Sequence, residues 1–154
     1  MSSAGQADSA AAIDAAAARR FFARSAACKE PQALSREVER RMAERLDLVR
    51  LDPGRLLDAG CGSGEGLELL SRRYPKALSV GMDAAHALLA KARAGRPLSS
   101  RARSLISGKS PQWACADFAA LPFQSGSFQL VWSNLALAWA ADPLQALREF
   151  RRVL

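Results

Sequence analysis

Asp58, Gly60, Gly62 and Gly64 stand in the run LLDAGCGSGEG, where a carboxylate is followed at steps of two by three residues without side chains. Glycines spaced in this way let a chain turn tightly and leave its backbone bare, so that a ligand can lie against it and against the start of a following helix. Asp83 follows roughly 20 residues further on, a separation at which an acidic side chain accepts both hydroxyls of a ribose. Asp117, followed by Phe118, offers an acceptor for the exocyclic amine of adenine and a ring face for stacking, and Ala84 is small enough to lie close on the other side. The plainer readings are a strand-to-helix turn for the glycines, a cap for Asp117 and core packing for Phe118. Asp83 in the expected place argues against the bare turn.

These residues need a frame, and the pattern of the chain predicts one. From Arg55 onward short apolar runs alternate with helical stretches, as in strand-helix-strand units on a parallel sheet. Strands are expected at Arg55 to Ala59, Ala77 to Asp83, Gln112 to Asp117 and Phe128 to Asn134, so the glycine loop follows the first strand and Asp83 ends the second. Helices are expected at Gly64 to Tyr74, Ala85 to Ala94 and Asp142 to Leu154, the last with Asp142 as N-cap and Pro143 in its first turn. The stretch Arg96 to Pro111 carries Gly, Pro, Ser and basic residues without periodicity and reads as a loop. Ahead of the sheet, Leu34, Val38, Met42, Leu46 and Val49 recur as an amphipathic stripe, with Arg36, Glu39, Arg40, Glu44 and Arg45 as its solvated face. Residues 1–12 read as a disordered arm, 13–52 as N-terminal helices, and 53–154 as a sheet domain.

Composition narrows the class. A chain of 154 residues with 49% hydrophobic residues suits one domain. Charged residues interrupt every apolar run before it reaches the roughly 18 residues of a membrane span. Cys28, Cys61 and Cys115 lack the spacing of a zinc site or disulfide framework, which fits a reducing cytoplasm and no metal centre. The net charge of +7 permits nucleic acid or an acidic protein, but aromatics are only 6% and are not interleaved with the basic residues, which disfavours nucleic acid. Asp8 and Asp14 argue against a transit peptide, and no apolar segment marks a secretory signal.

Among ligands, a nicotinamide dinucleotide would want a small residue where the loop has Glu65, and no Gly-Lys-Ser or Gly-Lys-Thr completes a phosphate loop. The spacing with Asp58 two residues ahead of the first glycine instead resembles that of enzymes that use S-adenosylmethionine. LLDAGCGSGEG, GMDAAHALLAKARA and CADFAALPFQSGSFQLVWSN, in that order, resemble the motifs of the seven-stranded adenosylmethionine-dependent methyltransferases. VWSNLALAWAADPLQALREFRRVL and the leading FFARSAACKEPQALSREVERRM are more narrowly similar to the malonyl-acyl-carrier-protein O-methyltransferases of biotin synthesis.

The resemblance implies an α/β, Rossmann-like parallel sheet with N-terminal helices on the acceptor side, S-adenosyl-L-methionine as cofactor and a malonyl thioester on acyl carrier protein as acceptor. It implies cofactor contacts at Asp58, Gly60, Gly62, Gly64, Asp83, Ala84, Asp117, Phe118 and Asn134, with Asn134, Trp139 and Phe22 as acceptor-side candidates and Phe21 beside Phe22 in a lid. Capping and core packing are the plainer readings of Asn134 and Trp139. A carboxylate acceptor is already ionised at neutral pH, so no catalytic base is expected and His86 is read as structural or exposed. The chain departs from the family at Cys28-Lys29, where a tyrosine is usual nearby, and at Gln129, where Asp is usual. The family's last three strands are expected after Leu154, so this reading is of a C-terminally truncated domain. A different acceptor, or an inactive cofactor-binding module, are the alternatives.

Overall fold

The computed structural model describes residues 13–25 and 33–154; the arm expected over residues 1–12 and the Cys28-Lys29 pair lie outside them. Four strands, β1 (Arg55–Ala59), β2 (Leu78–Asp83), β3 (Gln112–Cys115) and β4 (Leu130–Trp132), alternate with helices. All three pairings are parallel, in the order β3-β2-β1-β4. This is the expected α/β architecture, with β1 spanning the residues anticipated and the other three strands shorter than expected. The chain steps outward from β1 to β2 to β3 and then returns to the far side of β1 for β4. The strand order therefore reverses between β1 and β4, and the carboxyl ends of the strands around that switch form a crevice.

Both faces of the sheet are covered, which is why β1 carries apolar residues on both of its faces around Asp58. Leu57 and Ala59 face one core cluster with Val80, Met82, Phe128, Phe150 and Val153. Leu56 faces the opposite cluster with Leu67, Leu70, Tyr74 and Trp132. Alternation along the strand puts Asp58 on the Leu56 face, level with Gly81 on β2 and Trp132 on β4.

Three helices fall within one residue of their expected ends: α3 (Glu65–Arg73), α4 (His86–Ala94) and α6 (Pro143–Val153). In α6, Asp142 Oδ1 accepts from Gln145 N at 3.0 Å and Pro143 sits in the first turn, as the cap signal predicts. The N-terminal helix α1 (Ala15–Ser25) opens in the same way, with Asp14 Oδ1 accepting from Ala16 N and Ala17 N.

Two expectations are corrected. Arg96 to Pro111 is not a loop, because it holds α5 (Leu98–Ser107). Pro97 opens this helix, and Gly108, at φ 66°, closes it in the left-handed conformation. Its inner face is polar: Ser100 is buried, and Arg96 Nη2 donates to Ser104 Oγ at 2.7 Å, while Leu98, Leu105 and Ile106 point outward. A helix buried on its serines shows no apolar period. The second correction concerns α2 (Ala33–Arg45), followed by a 3-10 turn at Leu46–Leu48. Only the middle of the expected stripe packs inward, Met42 and Leu46 together with Ala43, whereas Leu34 and Val49 are exposed. Glu39, expected on the solvated face, is buried at 8% exposure because it lies one helical turn ahead of Met42 and two ahead of Leu46.

Candidate functional site

The turn from β1 into α3 is held by backbone bonds to the next strand. Gly60 N and Cys61 N both donate to Met82 O, at 2.8 and 2.9 Å, and Gly64 N donates to Cys61 O at 2.8 Å. Gly60, Gly62 and Gly64 have φ of 79°, 52° and 84°, the left-handed region in which a side chain is strained. A Cβ at Gly60 would also run into the Ala136 methyl and approach Phe118 Cζ to 3.1 Å, whereas one at Gly62 would meet nothing within 4 Å. The loop backbone is therefore bare at Gly62. Gly64 faces elsewhere, toward Ala92 and Trp113, and does not line the cleft.

A cavity of about 330 Å³ opens at the switch point. It gathers Asp58, Gly60, Gly62, Asp83, Ala84, Asp117, Phe118, Asn134, Trp139, Phe21 and Phe22, residues spread over most of the described chain. Gly64 is the one anticipated site residue missing from the lining. His86, read as structural or exposed, is exposed and outside this cavity. Glu39, Glu65 and Leu135 are among the lining residues that sequence reasoning did not assign to the site. Glu39 had a usable signal, since it is in phase with Met42 and Leu46. Leu135 had none: it adopts φ 55°, a strained backbone for a leucine, and such strain concentrates at functional sites.

The cavity is acidic inside a chain of net charge +7. Asp58 is 3% exposed, and its Oδ2 has no hydrogen-bond partner among the described residues. Burial, with Glu39 and Asp83 nearby, pushes its carboxyl up to about 8, while the Leu67 backbone N–H pulls it back. Burial also raises Glu39, against the Trp132 indole N–H and the Asn134 amide, which favour its ionised form. Asp83 is raised by burial but restrained by backbone donors. One of these is Gly62 N, 2.9 Å from Asp83 Oδ2, and another is Ala85 N, 2.8 Å from Oδ1. Burial pushes the Cys61 thiol up, which leaves it a poor nucleophile.

Helix α1 crosses the mouth. Arg19 Nη1 lies 3.2 Å from Asp117 Oδ2, and Asp117 Oδ1 also caps the turn through Ala119 N at 3.0 Å. Phe21 stacks on Trp139 with centroids 6.1 Å apart, and Phe22 meets the same ring edge-on at 5.0 Å. Phe118 packs edge-on against Phe150 at 5.7 Å while lining the cavity. Asn134 Nδ2 donates to Ser35 O at 2.8 Å, and its buried Oδ1 has no partner among the described residues. Capping and core packing are thus present at Asp117 and Phe118 together with exposure to the cavity.

S-adenosylmethionine fits these residues. Its adenosine matches a bare loop with a carboxylate across from it, and its ammonium and sulfonium match an acidic floor with unpartnered acceptors at Asp58 Oδ2 and Asn134 Oδ1. Among the described residues, no three His, Cys, Asp or Glu side chains group as ligands of a metal ion. Nor is any helix among them long and apolar enough to cross a membrane.

Known proteins are similar to this chain in sequence and in fold. The family described as "Methyltransferase domain" matches residues 57–154. The chain is 44% identical to the malonyl-[acyl-carrier protein] O-methyltransferase of Methylovorus sp. (strain MP688), over 92% of this chain and 47% of that protein. It is 46% identical to the protein of the same name from Laribacter hongkongensis (strain HLHK9), over 88% of this chain and 46% of the relative. The chain therefore spans about half the length of the curated relatives it matches. Among solved structures, the complex of the Haloferax volcanii Trm112 methyltransferase activator with its putative methyltransferase matches at a TM-score of 0.69 and 26% identity, over 86% of this chain and 55% of that one. With the family match covering the glycine loop and most of the lining of the switch-point cavity, the chain belongs to the methyltransferase domain family.

Proposed function

We propose that this chain carries the cofactor-binding half of an S-adenosylmethionine-dependent O-methyltransferase whose acceptor is the free carboxylate of a malonyl thioester on acyl carrier protein. The observation that carries the cofactor reading is the Asp83-braced glycine loop, bare at Gly62 and facing an acidic cavity at the sheet's switch point. The acceptor reading rests on the relatives at 44% and 46% identity that bear that name. The free thiols of Cys61 and Cys115 agree with a reducing cytoplasm.

In this reading the backbone at Gly60 and Gly62 lets the cofactor lie against the loop, and Gly64 supports it by seating α3 against α4. Asp83 accepts from the ribose hydroxyls. Asp117, Phe118 and Ala84 hold adenine, Asp117 exchanging its bond to Arg19 for one to the base amine. Asp58 and Asn134 face the methionine end, and Phe22 and Trp139 form the acceptor wall that α1 closes. Bound S-adenosylmethionine supplies an electrophilic methyl group. The acceptor carboxylate is already ionised, so the protein's part is alignment and exclusion of water, without a general base. The chain's net charge of +7 favours encounter with an acidic carrier protein.

Incubating the protein with adenosylmethionine and malonyl-acyl carrier protein, then weighing the carrier by mass spectrometry, tests both parts. A carrier heavier by one methyl group, lost on mild alkaline hydrolysis, is expected. Cofactor binding without ester formation refutes the acceptor; no cofactor binding refutes the whole reading.

A further inference from the structure

Glu39 belongs to α2, outside the glycine loop and outside the sheet, yet its carboxylate ends beside Asp58. Both crowd the same point. A Cβ on Gly66 would collide with Glu39 Oε1 and stand 3.0 Å from Asp58 Oδ2 and 3.3 Å from Trp132 Nε1. Both side chains line the cavity, with exposures of 8% and 3%, and Asp58 Oδ2 has no partner among the described residues. Two carboxylates this close and this dry cannot both stay ionised unless a cation joins them.

Among the described residues, the charged groups around them do not supply one. Arg36 on α2 is engaged in a two-pronged bond to Glu65 at the head of α3, at 2.8 and 2.9 Å. Arg19 on α1 is paired with Asp117 after β3, and Lys91 on α4 lines the cavity without entering among the influences on either carboxyl. Asp83 at the end of β2 adds a further negative charge, as does Glu65. From β4 and the residues after it come neutral donors, the Trp132 indole and the Asn134 amide. The Cys61 thiol stays neutral.

We infer that Glu39 and Asp58 form a proton-linked cation seat: the empty pair keeps one proton, and a positively charged group of the ligand enters by displacing that proton to solvent. Glu39 is then a positioning residue supplied by the N-terminal helices to the cofactor side. The inference rests on the cofactor reading above. The displacing group is an onium group, either the sulfonium, which S-adenosylmethionine carries and S-adenosylhomocysteine lacks, or the ammonium, which both carry.

Calorimetric titration in two buffers of different ionisation enthalpy counts the protons released. Working from pH 6 to 7.5 keeps the ligand's own ammonium largely protonated. The wild-type chain should release about one proton on binding S-adenosylmethionine at pH 6, with Kd tightening by up to roughly tenfold per pH unit. Release with adenosylmethionine alone assigns the seat to the sulfonium, and release with both ligands assigns it to the ammonium. Glu39→Gln should bind adenosylmethionine about tenfold more weakly at pH 7.5 and release markedly less proton, while melting close to wild type because the amide keeps the size of the carboxyl and can still pair with a neutral Asp58. Binding with no proton release and a Kd flat over this range would overturn the inference and leave the cofactor reading standing. So would a Glu39→Gln chain that releases as many protons as wild type, since a structural role alone would shift melting and not the proton count. If wild type binds no adenosylmethionine, the cofactor reading fails and the seat with it.

Discussion

Asp83 Oδ2 accepts a hydrogen bond from Gly62 N at 2.9 Å, so the acidic residue ending β2 braces the glycine loop leaving β1. Its other oxygen takes Ala85 N at 2.8 Å and ties the loop to the start of α4. The carboxylate that faces the cavity therefore also shapes it. Asp83→Ala should lower stability by roughly 2 kcal/mol, the scale of hydrogen bonds to a charged acceptor, as read from the urea midpoint. It should also weaken adenosylmethionine binding more than tenfold in calorimetry. Asp83→Asn, which keeps one acceptor oxygen, should fall between. An alanine variant with wild-type affinity would remove Asp83 from the site.

Gly60 is the glycine least able to change. Its φ of 79° strains any side chain, by about 1–2 kcal/mol, and the added methyl would strike Ala136 as well. Gly60→Ala should cost at least about 2 kcal/mol by thermal or urea denaturation. Gly62→Ala carries the strain without the collision, so it should be the milder change to the fold.

The ligand-free chain should lose stability as pH rises. Asp58 titrates near 8 in the folded chain against an ordinary value of 3.8, so the folded state binds the extra proton. The stabilising contribution of its neutral form is complete below about pH 4 and is lost as pH climbs through 8. Glu37 and Glu149 work in the opposite sense: arginine partners hold both near 2, so their contributions are lost as pH falls from the ordinary 4.5 toward 2. Melting temperatures measured from pH 3 to 9 should peak in the mildly acidic range. Asp58→Asn should flatten the alkaline limb, and an unchanged limb would refute the assignment to Asp58.

Arg19 and Asp117 form a pair with side chains 46% and 40% exposed, a setting in which ion pairs are worth about 0–1 kcal/mol. Arg19→Ala should thus barely move the melting temperature. Because Asp117 gives up Arg19 to hold the base amine, the same change should speed cofactor association several-fold in stopped-flow measurements. An unchanged rate would separate α1 from the cleft.

How far this was legible in the sequence differs from residue to residue. The order of strands and helices, the Asp142 cap and the glycine turn followed from period, punctuation and spacing, which are local. Helix α5 did not, because it packs through Ser100 and Arg96 and exposes Leu98, Leu105 and Ile106, the reverse of the pattern that reveals a helix. Gly64 looked equivalent to Gly60 and Gly62, but the twist of the turn aims it at Trp113 and not at the cavity.

By itself the sequence determined that a glycine loop would stand between a buried strand and a helix with Asp83 nearby, since backbone freedom and apolar period are properties of neighbouring residues. Only the tertiary structure decided that Glu39 would face Asp58, that α1 would reach Asp117 through Arg19, and that Phe21 and Phe22 would meet Trp139. Those contacts join residues far apart in the chain, and packing across the switch point of the sheet is what brings them within a few ångströms.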